Sequence, residues 1–171
     1  MTERLWSPWR MQYILSDKSG DCVLCAAACS DDDAGNFVLD RGEHNFVIMN
    51  LYPYNNGHLM VVPYRHVASL EDLDDETLSE AMCLVRDCTA LLNQVLHPEG
   101  FNVGINLGKA AGAGIHEHLH IHIVPRWVGD TNFMPVLGDT RVVPEMVADS
   151  YQRLRRALED KRETSNVKRE T

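Results

Sequence analysis

A chain of 171 residues with an apolar share of 44% and a formal net charge of −9 fits one ordinary domain, long enough to bury roughly two thirds of its unfolded surface without covalent staples. That acidic balance excludes broad binding to duplex nucleic acid through the phosphate backbone, which needs a basic face, but not a small anion held in a local pocket. No run approaches the roughly 20 apolar residues of a membrane span, and charges interrupt MTERLWSPWRMQYI where a signal peptide would be apolar.

The expectation is a cytoplasmic protein with neither a membrane nor a nucleic-acid partner. It forms a single domain over residues 1–160, with an arm at 1–20 and a flexible tail at 161–171. Five cysteines, an odd number, argue against a disulfide framework and for metal binding or burial.

The arm holds two of the three tryptophans, and two indoles are costly to leave in water, so it is expected to dock. After CVLC the run CSDDDAG reads as a surface loop. NFVLDRGEHNFVIMN then predicts two strands about a turn at Arg41, Gly42 and Glu43, with Phe46 and Ile48 on one face and Val47 and Met49 on the other. HLMVVPYRH predicts a third strand ending near Pro63. From about 74 to 96 the period changes: Leu78, Met82, Val85, Thr89, Leu92 and Leu96 recur at three and four, behind an acidic start, which predicts an amphipathic helix. FNVGINL predicts a fourth strand and IHEHLHIHIVP a fifth. Pro144 suits the first position of a C-terminal helix running to about residue 159. Strands in succession with one long helix before the last pair suggest an α+β fold on a mainly antiparallel sheet.

GIHEHLHIHIVPRW places His116, His118, His120 and His122 at alternate positions. In a strand these four share one face, with Ile115, Leu119, Ile121 and Ile123 on the other. Side-by-side imidazoles bind metal or move protons far more readily than they make a soluble surface. One ion cannot readily collect residues spread over roughly 13 Å of strand, so a division of labour competes with a metal centre. In that division one histidine is a nucleophile, one orients or protonates substrate and one is a structural ligand. Cys22 and Cys25 form a C-x-x-C pair, either half of a tetrahedral zinc site or two buried thiols. His66 could supply a third ligand and one end of the histidine strand a fourth.

The run from His118 to Val124 resembles the H-φ-H-φ-H-φ-φ signature of the histidine triad superfamily, and GHLMVVPYRH resembles the P-x-x-H strand upstream of it in that family. The flanks LWSPWRMQYI and VPRWVGDTNFMPV are similar to the bacterial branch that includes diadenosine tetraphosphate phosphorylases, also called ATP adenylyltransferases. The resemblance implies an α+β, HIT-like fold with a five-stranded antiparallel sheet, one long helix and a C-terminal helix. It also implies a homodimer that binds a purine nucleotide or dinucleoside polyphosphate.

Carried onto this chain, the resemblance makes His120 the nucleophile on the α-phosphorus and sets His122 against phosphate oxygens or the leaving group. Cys22, Cys25, His66 and His118 become the ligands of a structural zinc, and magnesium can arrive with the nucleotide. Asn50 holds the ribose, unless it is only a turn residue, and His58 lies near the base pocket. Asn106 and the GKAAGAG loop with Gly112 face phosphate. Gly114 departs from the glutamine or serine of many members, leaving a backbone N–H as donor and room for inorganic phosphate.

His116 reads as a strand-start histidine or a catalytic one, Cys29 as a loop residue, and Cys83 and Cys88 as core. Trp127 could stack on a base or close a dimer contact, and Lys109 or Arg126 could meet phosphate. The function implied is phosphorolysis of diadenosine tetraphosphate to ATP and ADP through a nucleotidyl-histidine. The alternatives are hydrolysis of dinucleoside polyphosphates or nucleoside phosphoramidates, a nucleotide-binding module with little turnover, and, remotely, a zinc hydrolase.

Overall fold

The computed structural model describes residues 22–130 and 145–167. The arm at 1–20, Pro144 and the last four residues lie outside them. In chain order the elements are helices α1 (Val23–Cys29) and α2 (Asp33–Asn36), strands β1 (Val38–Arg41), β2 (Asn45–Met49) and β3 (Leu59–Pro63), helix α3 (Asp75–Leu96), strands β4 (Gly100–Ile105) and β5 (Ile121–Arg126), and helix α4 (Val147–Val167). The five strands form one antiparallel sheet in the order β1-β2-β3-β5-β4. Among the described residues no helix is long and apolar enough to cross a membrane.

Alternation in the strands gives the sheet two apolar faces. Leu39, Val47, Met49, Leu59, Val61, Ile121 and Ile123 pack on α3 and α4. Val38, Phe46, Ile48, Met60 and Val62 form a smaller core with Leu24 and Ala27 of α1. The tight turn between β1 and β2 is braced from outside, because the Glu80 carboxylate of α3 accepts from the backbone N–H of Glu43 and His44 and from Asn45 Nδ2.

Helix α3 begins where the acidic start placed it: Asp74 caps it by accepting from Thr77 N at 2.8 Å, and it stops at His97, whose φ of 49° precedes Pro98. Its buried stripe differs from the predicted one. Thr77, Ala81, Val85, Cys88 and Leu92 face the sheet, while Met82 and Cys83 are exposed. Small residues at 77 and 81 let the helix sit close enough for Asn45 Nδ2 to reach Thr77 O at 3.0 Å, and that contact sets the rotation.

Helix α4 runs to Val167 rather than ending near residue 159. Its continuation is held by polar contacts instead of apolar spacing: Arg155 pairs with Glu159 one turn on, and Arg162 reaches Asp40 of β1.

The fifth strand is shorter than the sequence suggests. It starts at Ile121, so His116, His118 and His120 precede the ladder. β4 pairs only as far as Ile105 with Ile121, and β3 only as far as Val61 with Ile121. Pro63 has no N–H to extend the ladder, and its carbonyl is taken by His118 Nε2 at 2.8 Å. Leu119 N instead donates to Val67 O at 2.7 Å, drawing this segment along the end of β3.

Gly57, which enters β3, has φ +70°, and a Cβ there would lie 2.4 Å from Leu96 Cδ1 and 3.1 Å from Leu92 Cδ2. Gly57→Ala combines a left-handed penalty with a clash against α3. It should lower stability by about 2 kcal/mol in denaturant unfolding, whereas an open site such as Gly104, with nothing within 4 Å of its Cβ position, should tolerate alanine better.

Candidate functional site

Two clusters flank the segment that leads into β5. Cys22 caps α1 and Cys25 lies in its first turn, so C-x-x-C spacing turns both thiols the same way. They meet His66, three residues beyond β3, and His118. Cys22 Sγ lies 3.3 Å from His118 Nδ1, while Cys25 Sγ lies 3.1 Å from His66 Nδ1 and 3.4 Å from His118 Nδ1. All four ligand atoms fall within 4.8 Å of one another.

Tetrahedral bonds of about 2.0 Å to nitrogen and 2.3 Å to sulfur require ligand-to-ligand edges of about 3.3–3.8 Å, so this donor set could bind one metal ion. The His118 tautomer suits a metal ligand, since Nε2–H donates to Pro63 O and leaves Nδ1 with a lone pair. The far end of α1 is clamped by Arg41, whose guanidinium donates to the carbonyls of Ala27, Ala28 and Ser30 and pairs with Asp33. Cys29 is exposed and stands outside the cluster.

The second cluster is the imidazole set His58, His120 and His122. His120 Nδ1–H donates to the carbonyl of His118 at 2.8 Å, so Nε2 keeps its lone pair. His122 is wired differently. Tyr54 N–H donates to His58 Nδ1 at 3.0 Å, which puts the His58 proton on Nε2, where it is given to His122 Nδ1 at 3.0 Å. The His122 proton is thereby placed on Nε2, 3.4 Å from the Asn106 amide, whose oxygen is the complementary acceptor when turned toward it. The result is a bare nitrogen on His120 beside an N–H donor on His122, with ring centroids 4.7 Å apart.

Burial keeps these rings neutral. It lowers His120 below the ordinary imidazole value, takes His122 down to about 4 with help from His120, and takes His58 to about 3 with help from its neighbours. An unfolded chain protonates these groups near pH 6.5 while the folded one resists, so the unfolded state binds more protons below that pH. Their contribution to stability is therefore complete above about pH 6.5 and is lost as pH falls toward 4. Urea unfolding between pH 7 and 4 should show this decline, and His58→Asn should flatten it.

The remaining sequence-derived residues divide by position. Asn50 lies beside the imidazoles, but its Oδ1 is already engaged by Tyr52 N–H at 2.9 Å, so the turn role and the site location coincide. His58, expected near the base pocket, is 0% exposed and meets His122, Asn50 and Tyr54. Gly112 has φ +83° and donates to Lys109 O, closing the single 3₁₀ turn Lys109–Ala111, with Gly114 two residues on. Arg126 is committed to Asp130 and Asn102. His116 is part-exposed and lies 3.6 Å from Glu117. Tyr54 was not singled out from sequence, yet its ring packs on both His58 and His122. The available signal was an aromatic in the YPYNNG turn directly before a histidine.

On the opposite face a cleft of about 420 Å³ opens between α3 and α4 over Leu39 and Val47. Its one thiol, Cys88, is pushed up to about 12 by burial and nearby carboxylates, and Arg162 on its rim pairs with Asp40.

A bare imidazole nitrogen just before β5, beside an imidazole donor on that strand, is a layout suited to histidine-dependent group transfer. The HIT domain family model matches residues 33–128, more than half of the chain, and the chain belongs to that family. It is an enzyme of that family.

An AP-4-A phosphorylase of Mycobacterium tuberculosis is 42% identical over 161 residues, covering 89% of this chain and 82% of that protein. A bis(5'-nucleosyl)-tetraphosphatase (asymmetrical) of Schizosaccharomyces pombe is 33% identical over 96 residues, covering 56% of this chain and 52% of its own length. Among solved structures, a zinc-bound histidine triad family protein of Mycobacterium smegmatis superposes with a TM-score of 0.67 at 30% identity, covering 84% of this chain and 97% of that one.

Proposed function

We propose that the protein phosphorolyses diadenosine tetraphosphate to ATP and ADP through a nucleotide bound covalently to His120. The observation that carries this is the opposite wiring of the two imidazoles, with a lone pair held on His120 Nε2 and a proton on His122 Nε2. In the first step His120 Nε2 attacks the α-phosphorus, the bond from phosphorus to the bridging oxygen breaks, and ATP departs as that oxygen takes its hydrogen bond or proton from His122. The positive charge left on His120 is steadied by its Nδ1–H bond to the His118 carbonyl. In the second step an oxygen of inorganic phosphate attacks the same phosphorus, and His120 leaves with its electron pair, giving ADP. Water in place of phosphate gives AMP.

Asn50 and Asn106 would orient ribose and phosphate, the Gly112 to Gly114 loop would offer backbone N–H groups to phosphate oxygens, and His58 would hold the His122 tautomer. Absence of a side chain at Gly114 leaves room for the second-step phosphate. Cys22, Cys25, His66 and His118 would hold zinc. A closed four-ligand ion there supplies a cross-link rather than an open coordination position. We further infer a cytoplasmic homodimer joined through β4, which forms one edge of the sheet and exposes Val103.

Incubating the protein with diadenosine tetraphosphate, with and without inorganic phosphate, tests the reading directly. ADP and ATP are expected only when phosphate is present. AMP and ATP formed regardless of phosphate would make the enzyme a hydrolase, and no turnover in either case would leave a binding module.

A further inference from the structure

We propose that His58 is the positioning residue that selects the acceptor: by fixing His122 as a hydrogen-bond donor it leaves the site without a base, so the second step takes an oxyanion that is already ionised and refuses water. The inference rests on the phosphorolysis reading above and gives that reading a cause.

The two acceptors differ by one proton. When water attacks the nucleotide on His120, its oxygen bonds to phosphorus, the P–N bond breaks toward His120 Nε2, and a water proton must pass to a base. When a phosphate dianion attacks, the same bonds form and break and no proton moves. His120 cannot serve as that base, because its Nε2 is the atom bonded to phosphorus and its Nδ1 carries the proton given to His118 O.

His122 is the neighbouring imidazole, its ring centroid 4.7 Å from that of His120. To take a proton at Nε2 it would need its own proton on Nδ1, and Nδ1 faces His58 Nε2 at 3.0 Å. His58 could accept there only with its proton moved to Nδ1. That position is closed, since the backbone N–H of Tyr54 points at His58 Nδ1 from 3.0 Å, and a backbone N–H can only donate.

Asn50 closes it further. Its Oδ1 is taken by Tyr52 N–H, so its amide presents Nδ2 to the same nitrogen at 3.4 Å. Among the described residues no carboxylate hydrogen-bonds His58, His120 or His122, the partner that makes a base of the histidine in an Asp-His pair. Burial also holds His58 and His122 neutral.

Two variants that differ in one terminal atom test this. His58→Gln can place an amide N–H against His122 Nδ1 and keeps Nε2 a donor. His58→Glu, ionised, can only accept there, which draws the His122 proton to Nδ1 and bares Nε2 as a base. The ratio of ADP to AMP formed from diadenosine tetraphosphate at a fixed phosphate concentration reports the acceptor choice whatever the overall rate. His58→Glu should lower that ratio at least about tenfold, and His58→Gln should keep it within about threefold of wild type. Wild type offered methylphosphonate or methanol in place of phosphate should form the mixed anhydride of AMP and methylphosphonate, and no methyl ester of AMP. This second comparison needs only wild type, and it decides the matter if neither variant folds. An unchanged ratio in folded His58→Glu protein, equal falls in both variants, or a methyl ester from wild type would overturn the proposal and leave phosphorolysis standing. AMP from wild type without phosphate would remove the phosphorolysis reading, and this one with it.

Discussion

His120→Ala is expected to lower phosphorolysis of diadenosine tetraphosphate by at least about 10⁴-fold, the scale seen when a covalent nucleophile is deleted. The loss should fall on kcat, because the ring being removed forms its bond only as the reaction proceeds. Truncation also leaves the His118 carbonyl without its partner, at a cost of about 1–3 kcal/mol. His120→Asn, whose amide N–H can reach that carbonyl, is therefore the companion variant: it should be as inactive and more stable. Removing the His122 ring takes away a donor rather than the nucleophile, so His122→Ala should cost about 10²- to 10⁴-fold. Denaturing wild-type protein during turnover with labelled substrate should trap a protein-bound nucleotide that is absent from both His120 variants. A His120→Ala protein within tenfold of wild type would end the covalent mechanism.

The second large effect concerns the Cys-His cluster. Helix α1 has seven residues, too few to persist without tertiary support, and it covers Phe46, Ile48 and Val62 through Leu24 and Ala27. Its attachments are those two side chains, the Arg41 clamp and the thiols. With zinc held there as proposed, chelation or Cys25→Ser would release the thiol end and leave a core face partly uncovered. The expected loss is about 3–5 kcal/mol, or a Tm lower by about 10 °C for a chain of this size. Activity measured well below the melting range should remain within a few fold of wild type. Loss of activity in step with metal content, with the melting curve unchanged, would instead mean that the ion takes part in the reaction.

Much of this architecture was legible in the sequence because its signals are local. The apolar runs NFVIM and LMVVP marked strands, Asp74 with the period of three and four marked α3, and the family resemblance, rather than the C-x-x-C pair alone, named the four residues that the fold brings together. What escaped depends on contacts between segments far apart in the chain. The start of β5 is decided by the Pro63 carbonyl accepting from His118 and by Val67 accepting from Leu119. The rotation of α3, which leaves Met82 and Cys83 outside, is decided by Asn45 reaching Thr77. The family resemblance set His58 near the base pocket. Its complete burial follows from Tyr54 folding back over it, which no spacing rule anticipates. The last turns of α4 carry no apolar period at all, only charge pairs.

The two margins of the sheet are finished differently. At β1 two backbone carbonyls are taken by side chains of α4: Tyr151 Oη donates to Val38 O at 3.1 Å, and Arg155 Nη1 to Leu39 O at 2.9 Å. Among the described residues β4 pairs on one side only. A ribbon whose one margin is covered by helix side chains is free to be lengthened only at the other. In the dimer proposed above, two copies would meet margin to margin along β4 and use up both of those sides, so that strand addition there would stop at a pair instead of growing into a fibre.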